Sequence, residues 1–302
     1  MDDMNTQRFE AHRPLMFSIA YRMLGSVADA EDMVQRAYLR YQTAASEAIS
    51  SHKAFLITVI TRLCINHLQL ARTQRETYIG PWLPEPLPNN FDESTAPAQR
   101  VEMYESISLA FLVLLEQLTP AERAVLILRE VFDYDYDEIA EIIDKEEAAC
   151  RQLLSRAKKH LSTHRPRFKP TPEQHRQILN HFIHATNSGE LDGLLQLLSE
   201  DVVLRADGGG KVHGAITRPL HGRDAVARFL LASPRLASEP YQTDVIDVNG
   251  EPALVLRVGN EMRLVMSISI DQGRIHAISV IANPDKLRWL NRSLNDNEGT
   301  NA

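Results

Sequence analysis

The sequence predicts a multidomain chain in which two all-α domains, the second carrying a helix-turn-helix, precede an α+β domain. Apolar residues recur at helical spacing in the first half of the chain, whereas strand-like runs and hairpin turns are confined to the last third. Two proline-rich stretches, at 81–88 and 166–172, separate these parts. The predicted boundaries are 1–76, 77–100, 101–165, 172–290 and, as a flexible tail, 291–302.

The composition is that of a folded protein from a reducing compartment. Hydrophobic residues make up 44% of the 302 residues and charged residues 24%, which fits two or three folded domains. Cys64 and Cys150 both fall in helical patterns, so a disulfide framework is excluded and a cytoplasmic location is expected. No apolar run approaches the roughly 18 residues that cross a bilayer, and the acidic start predicts no signal peptide.

Charge is unevenly distributed along the chain. The net charge is −7, which argues against a protein that binds nucleic acid over its whole surface. Residues 151–169, however, contain seven basic residues and no acid, and a second acid-free stretch spans 53–75. These strips favour DNA contact on two confined faces, with two merely solvated helix faces as the alternative.

Residues 9–75 are predicted to form three helices. The first two apolar stripes lie on either side of the segment GSVADAED. Gly25 is expected to end the first helix, and Ser26 or Asp29 to cap the second. The third helix begins with an apolar stripe at Phe55 and is expected to run to about Arg75.

A proline strip, YIGPWLPEPLP at Tyr78–Pro88, interrupts this helical pattern. The linker that contains it is predicted to be partly polyproline II and partly flexible. Helix is expected again from about Val101. The later segment LTPAER is a strong helix start, with Thr119 as N-cap, Pro120 at the first helical position and Glu122 closing a capping box.

The C-terminal part predicts helices first and an antiparallel meander after them, which is an α+β domain. A helix is expected over 173–187, ended by Gly189, and a short one over 191–198. Asn249-Gly250 and Asp271-Gln272-Gly273 supply hairpin turns. The strand-like runs are DVVLRA, YQTDVIDV, ALVLRVG, EMRLVMSISI and RIHAISVIA.

Residues 135–161 have the pattern of a helix-turn-helix, with a turn at Asp144-Lys145 between two apolar stripes. The second helix fits the major groove, where Arg and Gln can bind base edges and Lys can bind phosphate. Any two short amphipathic helices can imitate this spacing, so the pattern alone is not specific. The predicted outward residues of the second helix are Arg151, Gln152, Ser155, Arg156 and Lys159.

Three segments together resemble the extracytoplasmic-function (ECF) sigma factors of the sigma-70 family: AYRMLGSVADAEDMVQRAYLRY, FLITVITRLCINHLQLARTQRE and LTPAERAVLILREVFDYDYDEIAEII. The segment GPWLPEPL, with DGGGKV and NPDKL further on, is similar to the group with a C-terminal SnoaL-like domain. The resemblance covers nearly the whole chain. It implies a promoter-specificity subunit of RNA polymerase with a cone-shaped SnoaL-like domain at its C-terminal end.

For the helical domains, the resemblance implies contacts with core RNA polymerase and with promoter DNA. The first would bind the β′ clamp helices and open the −10 element, and the second would bind the β flap and the −35 element. An unpaired base needs a pocket and a phosphate clamp, which amide and guanidinium groups provide; a polar helix face without a ligand is the alternative. The implied polymerase-binding residues are Asp29, Asp32, Gln35, Arg36 and Leu39, and those at the −10 element are Asn66, Gln69, Arg72 and Arg75.

Four residues depart from the family pattern. Arg36 and Tyr41 stand where an acid and a tryptophan are more frequent. Asp144 replaces the usual turn glycine, and Glu146 adds an acid near the recognition helix. These departures bear on polymerase affinity and on the −35 preference.

The resemblance implies a C-terminal domain that regulates in cis, without catalysis and without a cofactor. Asp207, His213, His221 and Asp224 are of the right type for a cyclase or isomerase, but the sequence places none of them in a pocket. An enzyme of that class carrying a helix-turn-helix is the rival interpretation. The DGGGK run lacks the spacing of a phosphate loop and is interpreted as a tight connection after a strand. Whether the cone binds a small apolar ligand stays an open question at this point.

Proline fixes φ, so the proline strip can present Trp82 and Leu83 as a preformed surface. Trp82 is the expected anchor, because buried aromatic residues dominate small interfaces. A spacer that merely passes through the polymerase is the alternative. The residues expected at the contact with the C-terminal domain are Trp82, Leu83, Pro84, Asp207, Lys211, Asn283, Pro284, Asp285, Lys286 and Leu287.

Overall fold

The computed structural model describes residues 2–44, 49–75, 77–88, 107–162, 170–212, 215–233 and 239–300. It divides into two compact units. The helical unit comprises Met1–Thr77 with Leu112–Arg165, and the C-terminal unit comprises Tyr78–Phe111 with Pro166–Ala302. The proline strip therefore packs as part of the C-terminal unit, although the sequence predicted a linker there.

Three helices open the helical unit: α1 (Asp2–Leu24), α2 (Val27–Thr43) and α3 (His52–Arg75). Gly25 ends α1 with φ of 66°, a left-handed conformation that glycine adopts without strain. Ser26 caps α2, because its hydroxyl accepts the N–H of Asp29 at 3.2 Å. Both boundaries confirm the prediction from GSVADAED. Buried side chains between the helices include Met16, Ile19, Met33, Val34 and Ile60.

Four shorter helices follow: α4 (Leu109–Leu115), α5 (Pro120–Glu130), α6 (Tyr136–Ile143) and α7 (Glu147–Ser162). The predicted capping box at the start of α5 is present, with Thr119 and Glu122 exchanging hydrogen bonds. α5 is the centre of the unit, and its buried residues include Arg123 as well as five consecutive apolar ones. The helix start predicted near Val101 lies outside the described residues.

The C-terminal unit contains the helices α8 (Pro172–Ser188), α9 (Leu191–Leu197), α10 (Arg223–Ala232) and α11 (Pro284–Thr300). Gly189, with φ of 74°, ends α8 as predicted. The helix α10 was not predicted from the sequence. α11 continues to Thr300, into the segment 291–302 that the sequence predicted as a flexible tail; its flexibility stays a prediction.

Among the described residues of this unit there are six strands: β1 (Leu198–Asp207), β2 (Leu220–His221), β3 (Gln242–Val248), β4 (Glu251–Val258), β5 (Glu261–Asp271) and β6 (Arg274–Ile281). Their order across the sheet is β2-β1-β6-β5-β4-β3. β3 to β6 form the predicted antiparallel meander. β1 instead pairs parallel with β6, which the sequence did not reveal, since local turn signals do not encode pairing between distant strands.

The sheet places α8, α9 and α10 on one face, where its main apolar core lies. Phe182, Leu194 and Leu230 from these helices pack there with Leu204 of β1 and Ile278 of β6. Residues alternate between faces along a strand, so Asp207, three positions after Leu204, belongs to the opposite face. α11 packs against β5, with Leu287 and Leu290 buried. This arrangement fixes the end of β1 next to the start of α11.

Candidate nucleic-acid interface and proline-strip site

The helix-turn-helix consists of α6 and α7, joined by a left-handed residue at Asp144. Asp144 has φ of 55° and ψ of 60°, so it adopts the conformation that glycine usually provides at such a turn. On α7, the apolar stripe faces the unit's core: Cys150, Leu154, Ala157 and Leu161 are buried. The five residues predicted to face outward, Arg151, Gln152, Ser155, Arg156 and Lys159, are all exposed.

Two basic residues of α7 are already engaged by neighbouring side chains. Arg151 forms an ion pair with Glu147 one turn earlier, and its guanidinium lies 4.3 Å from the ring centroid of Tyr136. Lys158 pairs with Glu130 at 2.8 Å. Exposed ion pairs of this kind contribute little to stability, so they hold Arg151 and Lys158 only loosely.

The outer face of α3 carries the exposed side chains of Asn66 and Gln69. The side chains of Arg72 and Arg75 lie outside the described residues. The opposite face of the helix is buried, with Leu56, Ile60 and Cys64 fully enclosed. Burial raises the pKa of the Cys64 thiol, so this cysteine is a core residue.

The face of α2 that is predicted to bind polymerase is largely exposed to solvent. Asp32, Gln35, Arg36 and Leu39 are exposed, and Leu39 retains 60% of its surface. Arg36 pairs with Asp32 at 3.0 Å, while Asp29 is half-buried and lies 3.7 Å from His67 of α3. Tyr41, one of the family departures, is buried and hydrogen-bonds His52 at 2.8 Å.

Sequence reasoning missed an arginine that joins α3 to the helix-turn-helix. Arg62 donates from Nε to the carbonyl of Ile142 and from a terminal nitrogen to the carbonyl of Glu141, each at 2.8 Å. These carbonyls belong to the last turn of α6, where no intrahelical partner exists. The signal in the sequence that could have revealed Arg62 was its position, one turn before Asn66 on the same face of α3.

The proline strip is fixed by its backbone and by two leucines rather than by Trp82. Leu83 and Leu87 are buried, with 1% and 3% of their surface exposed, whereas Trp82 is half-buried. The Leu83 N–H donates to Asp207 Oδ2 and the Leu87 N–H to Asn249 Oδ1, both at 2.8 Å. Trp82 instead covers a cation, since its ring centroid lies 3.9 Å from Lys286 Nζ.

Asp207 is the centre of the strip's contact with the C-terminal domain. Its fully buried carboxylate accepts from four donors among the described residues: the Tyr78 hydroxyl, the Leu83 N–H, the Gly209 N–H and Lys286 Nζ. Lys286 also donates to the Leu83 carbonyl. A buried carboxylate with this many donors is fully satisfied, so it holds the strip in one position.

Tyr78 was also missed by sequence reasoning. Its hydroxyl donates to Asp207 and accepts from the Asn283 side chain at 2.9 Å. Desolvation, reinforced by the hydrogen bond to the Asp207 carboxylate, raises the pKa of Tyr78 well above its ordinary value. The hydroxyl is therefore neutral and remains a donor. The hint in the sequence was an aromatic residue two positions before the strip's glycine.

The DGGGK run brings the chain close to both the proline strip and α11. Gly209 and Gly210 have φ of 58° and 71°. A Cβ on Gly209 would lie 2.3 Å from Asn283 Nδ2, and one on Gly210 would lie 2.8 Å from Ile79 of the strip. Lys211 pairs with Asp285, and this hydrogen bond lowers the pKa of the Asp285 carboxyl. Glycine is required here because no larger residue fits.

The remaining contact residues predicted from the sequence sit at the start of α11. Asn283 is buried, and its side chain also accepts the N–H of Asp285. Pro284 is the first residue of α11, and Leu287 is buried one turn later. Pro84, in the strip, is buried as well.

The other candidate catalytic side chains are not gathered around Asp207. His221 and Asp224 are exposed, at β2 and at the first turn of α10, and His213 lies outside the described residues. No group of three His, Cys, Asp or Glu side chains suited to a metal occurs in the part of the chain that the structure describes. Within that same part, no helix is long and apolar enough to cross a membrane.

Comparisons with known proteins identify both helical regions. The model of Sigma-70 region 2 matches residues 8–74, and that of Sigma-70, region 4 matches residues 108–161. ECF RNA polymerase sigma factor SigJ of Mycobacterium tuberculosis is 35% identical over 300 residues, covering 94% of this chain and 93% of SigJ. Probable ECF RNA polymerase sigma factor SigI of the same species is 34% identical over 292 residues, covering 95% and 96%.

The whole fold is shared as well. The crystal structure of SigJ matches with a TM-score of 0.73 at 34% identity, covering 93% of this chain and 98% of SigJ. The match therefore includes both sigma regions and the α+β domain. From this similarity along nearly its full length, the chain belongs to the ECF RNA polymerase sigma factors of the sigma-70 family, in the group with a C-terminal SnoaL-like domain.

Proposed function

We propose that this sigma factor reads the −10 element with α3 and the −35 element with α7, and docks on the β′ clamp helices through α2. Region 4 would also contact the β flap. The C-terminal domain regulates initiation in cis and catalyses no reaction. The observation that carries this proposal is the division of α7 into a buried apolar stripe and an exposed face of basic and amide side chains.

The exposed face of α7 has the chemistry of a major-groove reader. Arg156 and Gln152 lie one turn apart, and guanidinium and carboxamide groups bind guanine and adenine edges in bidentate fashion. Lys159 is placed to bind phosphate. Arg151 would exchange its exposed ion pair with Glu147 for a DNA contact, since such pairs are weak in water.

The exposed face of α2 is suited to a protein partner. Leu39 is largely exposed and lies on the same side of the helix as Asp32, Gln35 and Arg36. An apolar residue surrounded by charged and amide groups is a typical composition for an interface with a polar rim. Arg36 is balanced by Asp32, so this departure from the family pattern adds no net positive charge to the face.

Regulation in cis follows from the way the C-terminal domain holds the proline strip. The strip directly follows α3 in the chain and leads, through residues 89–106, into region 4. A domain that binds the strip through Asp207, Lys286 and Asn249 therefore controls the segment that connects the two promoter-reading regions. Four prolines reduce the entropy lost when the strip binds.

Asp207 is unsuited to catalysis because all of its acceptor capacity is used. General-base chemistry requires a carboxylate free to take a proton from substrate, whereas this carboxylate receives four donors, one of them the Lys286 ammonium at 2.7 Å. Its role is structural, in holding the strip.

In vitro transcription with core RNA polymerase tests the promoter-reading assignment. Arg156→Ala is expected to reduce transcripts about 5- to 150-fold, since a bidentate base contact contributes about 1–3 kcal/mol. Lys158→Ala is the matched control, because Lys158 lies on the same helix, beside Glu130 of α5, and is not one of the five residues assigned to DNA contact; its transcription should stay within twofold of wild type. Equal effects of the two substitutions would contradict the assignment of α7.

A second arm tests regulation in cis. Leu83→Asp places a charge in the buried contact and is expected to release the strip, which should lower transcription at least fivefold while the chain still binds core polymerase. Gly259→Ala, in the turn between β4 and β5 where a Cβ meets nothing within 4 Å, is the control for general changes in the domain. Unchanged transcription with Leu83→Asp would rule out this regulation.

A further inference from the structure

We propose that Arg62 is a DNA-binding residue held in reserve: it binds the end of α6 in the closed helical unit and transfers to a phosphate of the −10 element on the promoter. The inference rests on the proposed assignment of α3 to that element. We call the contact between Arg62 and the carbonyls of Glu141 and Ile142 the Arg62 clasp.

The geometry of the Arg62 clasp matches a phosphate-binding fork. Two parallel N–H groups of one guanidinium, Nε and a terminal nitrogen, each lie 2.8 Å from a carbonyl oxygen of the last turn of α6. The end of a helix carries roughly half a negative charge. Phosphate offers a full negative charge and two acceptor oxygens on one group, so it is a stronger ligand for the same fork.

Arg62 also lies in line with the proposed −10 residues. Positions 62, 66 and 69 are spaced i, i+4 and i+7, which places all three on one face of α3. All three side chains are exposed. In the closed unit, α6 therefore contacts this face at Arg62, and Asn66 and Gln69 lie further along the same face.

The Arg62 clasp and full promoter engagement exclude each other. The −10 and −35 elements are separated by roughly 25 base pairs, which is about 85 Å of B-DNA at 3.4 Å per pair. Helices in direct contact lie about 8–10 Å apart at their axes. α3 cannot stay against α6 while α3 reads one element and the helix-turn-helix reads the other, so the Arg62 clasp must open.

Other contacts between regions 2 and 4 in this unit are also of a kind that can break when the two regions separate. Arg123 of α5 donates to the Met23 carbonyl of α1 at 2.6 Å, so here too an arginine binds a backbone oxygen. Arg22 is fully buried, with its guanidinium 5.5 Å from the Phe132 ring centroid, and desolvation lowers its pKa to about 9. The closed unit therefore keeps the Arg22 guanidinium out of water. This desolvation costs free energy and offsets part of the stability that the contacts between regions 2 and 4 contribute.

The test uses the full chain with Arg62→Ala and Arg62→Lys. Spin labels on cysteines introduced at the exposed positions Glu10 and Lys145 report the separation of region 2 from the helix-turn-helix; the native Cys64 and Cys150 are buried. Wild type should give one short distance. Both variants should add a longer one, because neither alanine nor the single ammonium of lysine can bind two carbonyls as a fork.

Promoter binding is measured in parallel with core polymerase as a function of salt. Arg62→Ala should reduce the slope of log affinity against log salt by about 0.7–0.9, the value for one phosphate contact, and Arg62→Lys should retain it. Because Arg62 is exposed, we expect both variants to fold, and thermal unfolding checks this.

Each measurement tests one part of the proposal. An unchanged distance in Arg62→Ala overturns the Arg62 clasp as the element that holds the unit closed. An unchanged salt slope overturns the phosphate contact. Asn66→Ala and Gln69→Ala, which do not alter Arg62, test the underlying assignment through permanganate reactivity of the −10 element. If these two variants open the promoter normally, the proposed role of α3 fails; if they fail to open it while the Arg62 slope is unchanged, only the inference on Arg62 fails.

Discussion

Lys286 Nζ lies 2.7 Å from Asp207 Oδ2, and both side chains are buried, with 7% and 0% of their surfaces exposed. Burying two charges costs several kcal/mol of desolvation each, and the attraction between them compensates only when further hydrogen bonds satisfy both groups. Here those bonds come from the proline strip, through the Leu83 N–H and carbonyl. The ion pair and the bound strip are therefore one energetic unit.

Removing either partner of this pair should have unequal effects. Asp207→Ala removes the carboxylate that pairs with the Lys286 ammonium and that accepts from three other donors, and should cost about 3–5 kcal/mol. Lys286→Met leaves the carboxylate with three donors and should cost roughly 1–2 kcal/mol less. Urea unfolding followed by tryptophan emission measures this, because both tryptophans of the sequence, Trp82 and Trp289, belong to the C-terminal unit. An equal or larger loss with Lys286→Met would contradict the central role of Asp207.

Gly209→Ala should destabilise the C-terminal unit more than Gly259→Ala. Both glycines have φ near 60°, so both substitutions incur about 1–2 kcal/mol of left-handed strain. At Gly209 the new Cβ also lies 2.3 Å from Asn283 Nδ2, whereas at Gly259 it meets nothing within 4 Å. The clash should add about 1–3 kcal/mol. Unfolding midpoints of the two variants give the difference, and equal midpoints would show that the loop moves aside freely.

Asp144→Gly should stabilise the helical unit by about 0.5–1 kcal/mol. Asp144 has φ of 55°, where a side chain is strained and glycine is not. The effect is measured by thermal unfolding of the full chain. Asp137→Gly, in the first helical turn of α6, is the matched control and should destabilise, since glycine loses more entropy in a helix. A loss of stability in Asp144→Gly would indicate that the aspartate side chain stabilises the turn.

The stability of the C-terminal unit should depend on His175 between about pH 6.5 and pH 4. Burial, with a smaller effect from Arg176, lowers the pKa of His175 from 6.5 to about 4. In that window the unfolded chain binds a proton that the folded chain does not, so stability rises with pH up to about 6.5 and is independent of this group above it.

His175→Leu should remove that dependence. The difference between wild type and variant in free energy of unfolding should change by up to about 3 kcal/mol across the window, with the wild type losing more on acidification. The Asp285 carboxyl, whose pKa is also lowered, acts in the same sense, but only below its ordinary value of 3.8, which lies outside this window. Parallel pH profiles for the two proteins would show that folding does not change the pKa of His175.

Local chemistry in the sequence predicted several element boundaries. The caps at Ser26 and Thr119 and the stop at Gly189 depend on neighbouring residues alone, and all three appear in the structure. The Asn249-Gly250 turn likewise has positive φ at both residues. Such features are predictable because the donors, acceptors and backbone preferences involved lie within a few residues of one another.

Long-range pairing could not be predicted in the same way. The parallel alignment of β1 with β6 joins residues more than seventy positions apart, and α10 between them has no strong start signal: its N-cap is Gly222. The burial of Leu83 and Leu87 instead of Trp82 has the same origin, because a surface that receives the strip exists only after the sheet has formed. Arg62 shows no local pattern that reveals a partner eighty residues away.

Asn249 binds the backbone on both sides of residues 89–106. Its side-chain oxygen accepts the Leu87 N–H, its side-chain amide donates to the Ile107 carbonyl, and its own N–H donates to the Leu87 carbonyl. The entry and exit of that segment are thus tied to one residue of a hairpin turn. Insertions, deletions or a grafted tag between those two points would leave the flanking parts in register, so relatives are free to differ in length there at little cost in folding.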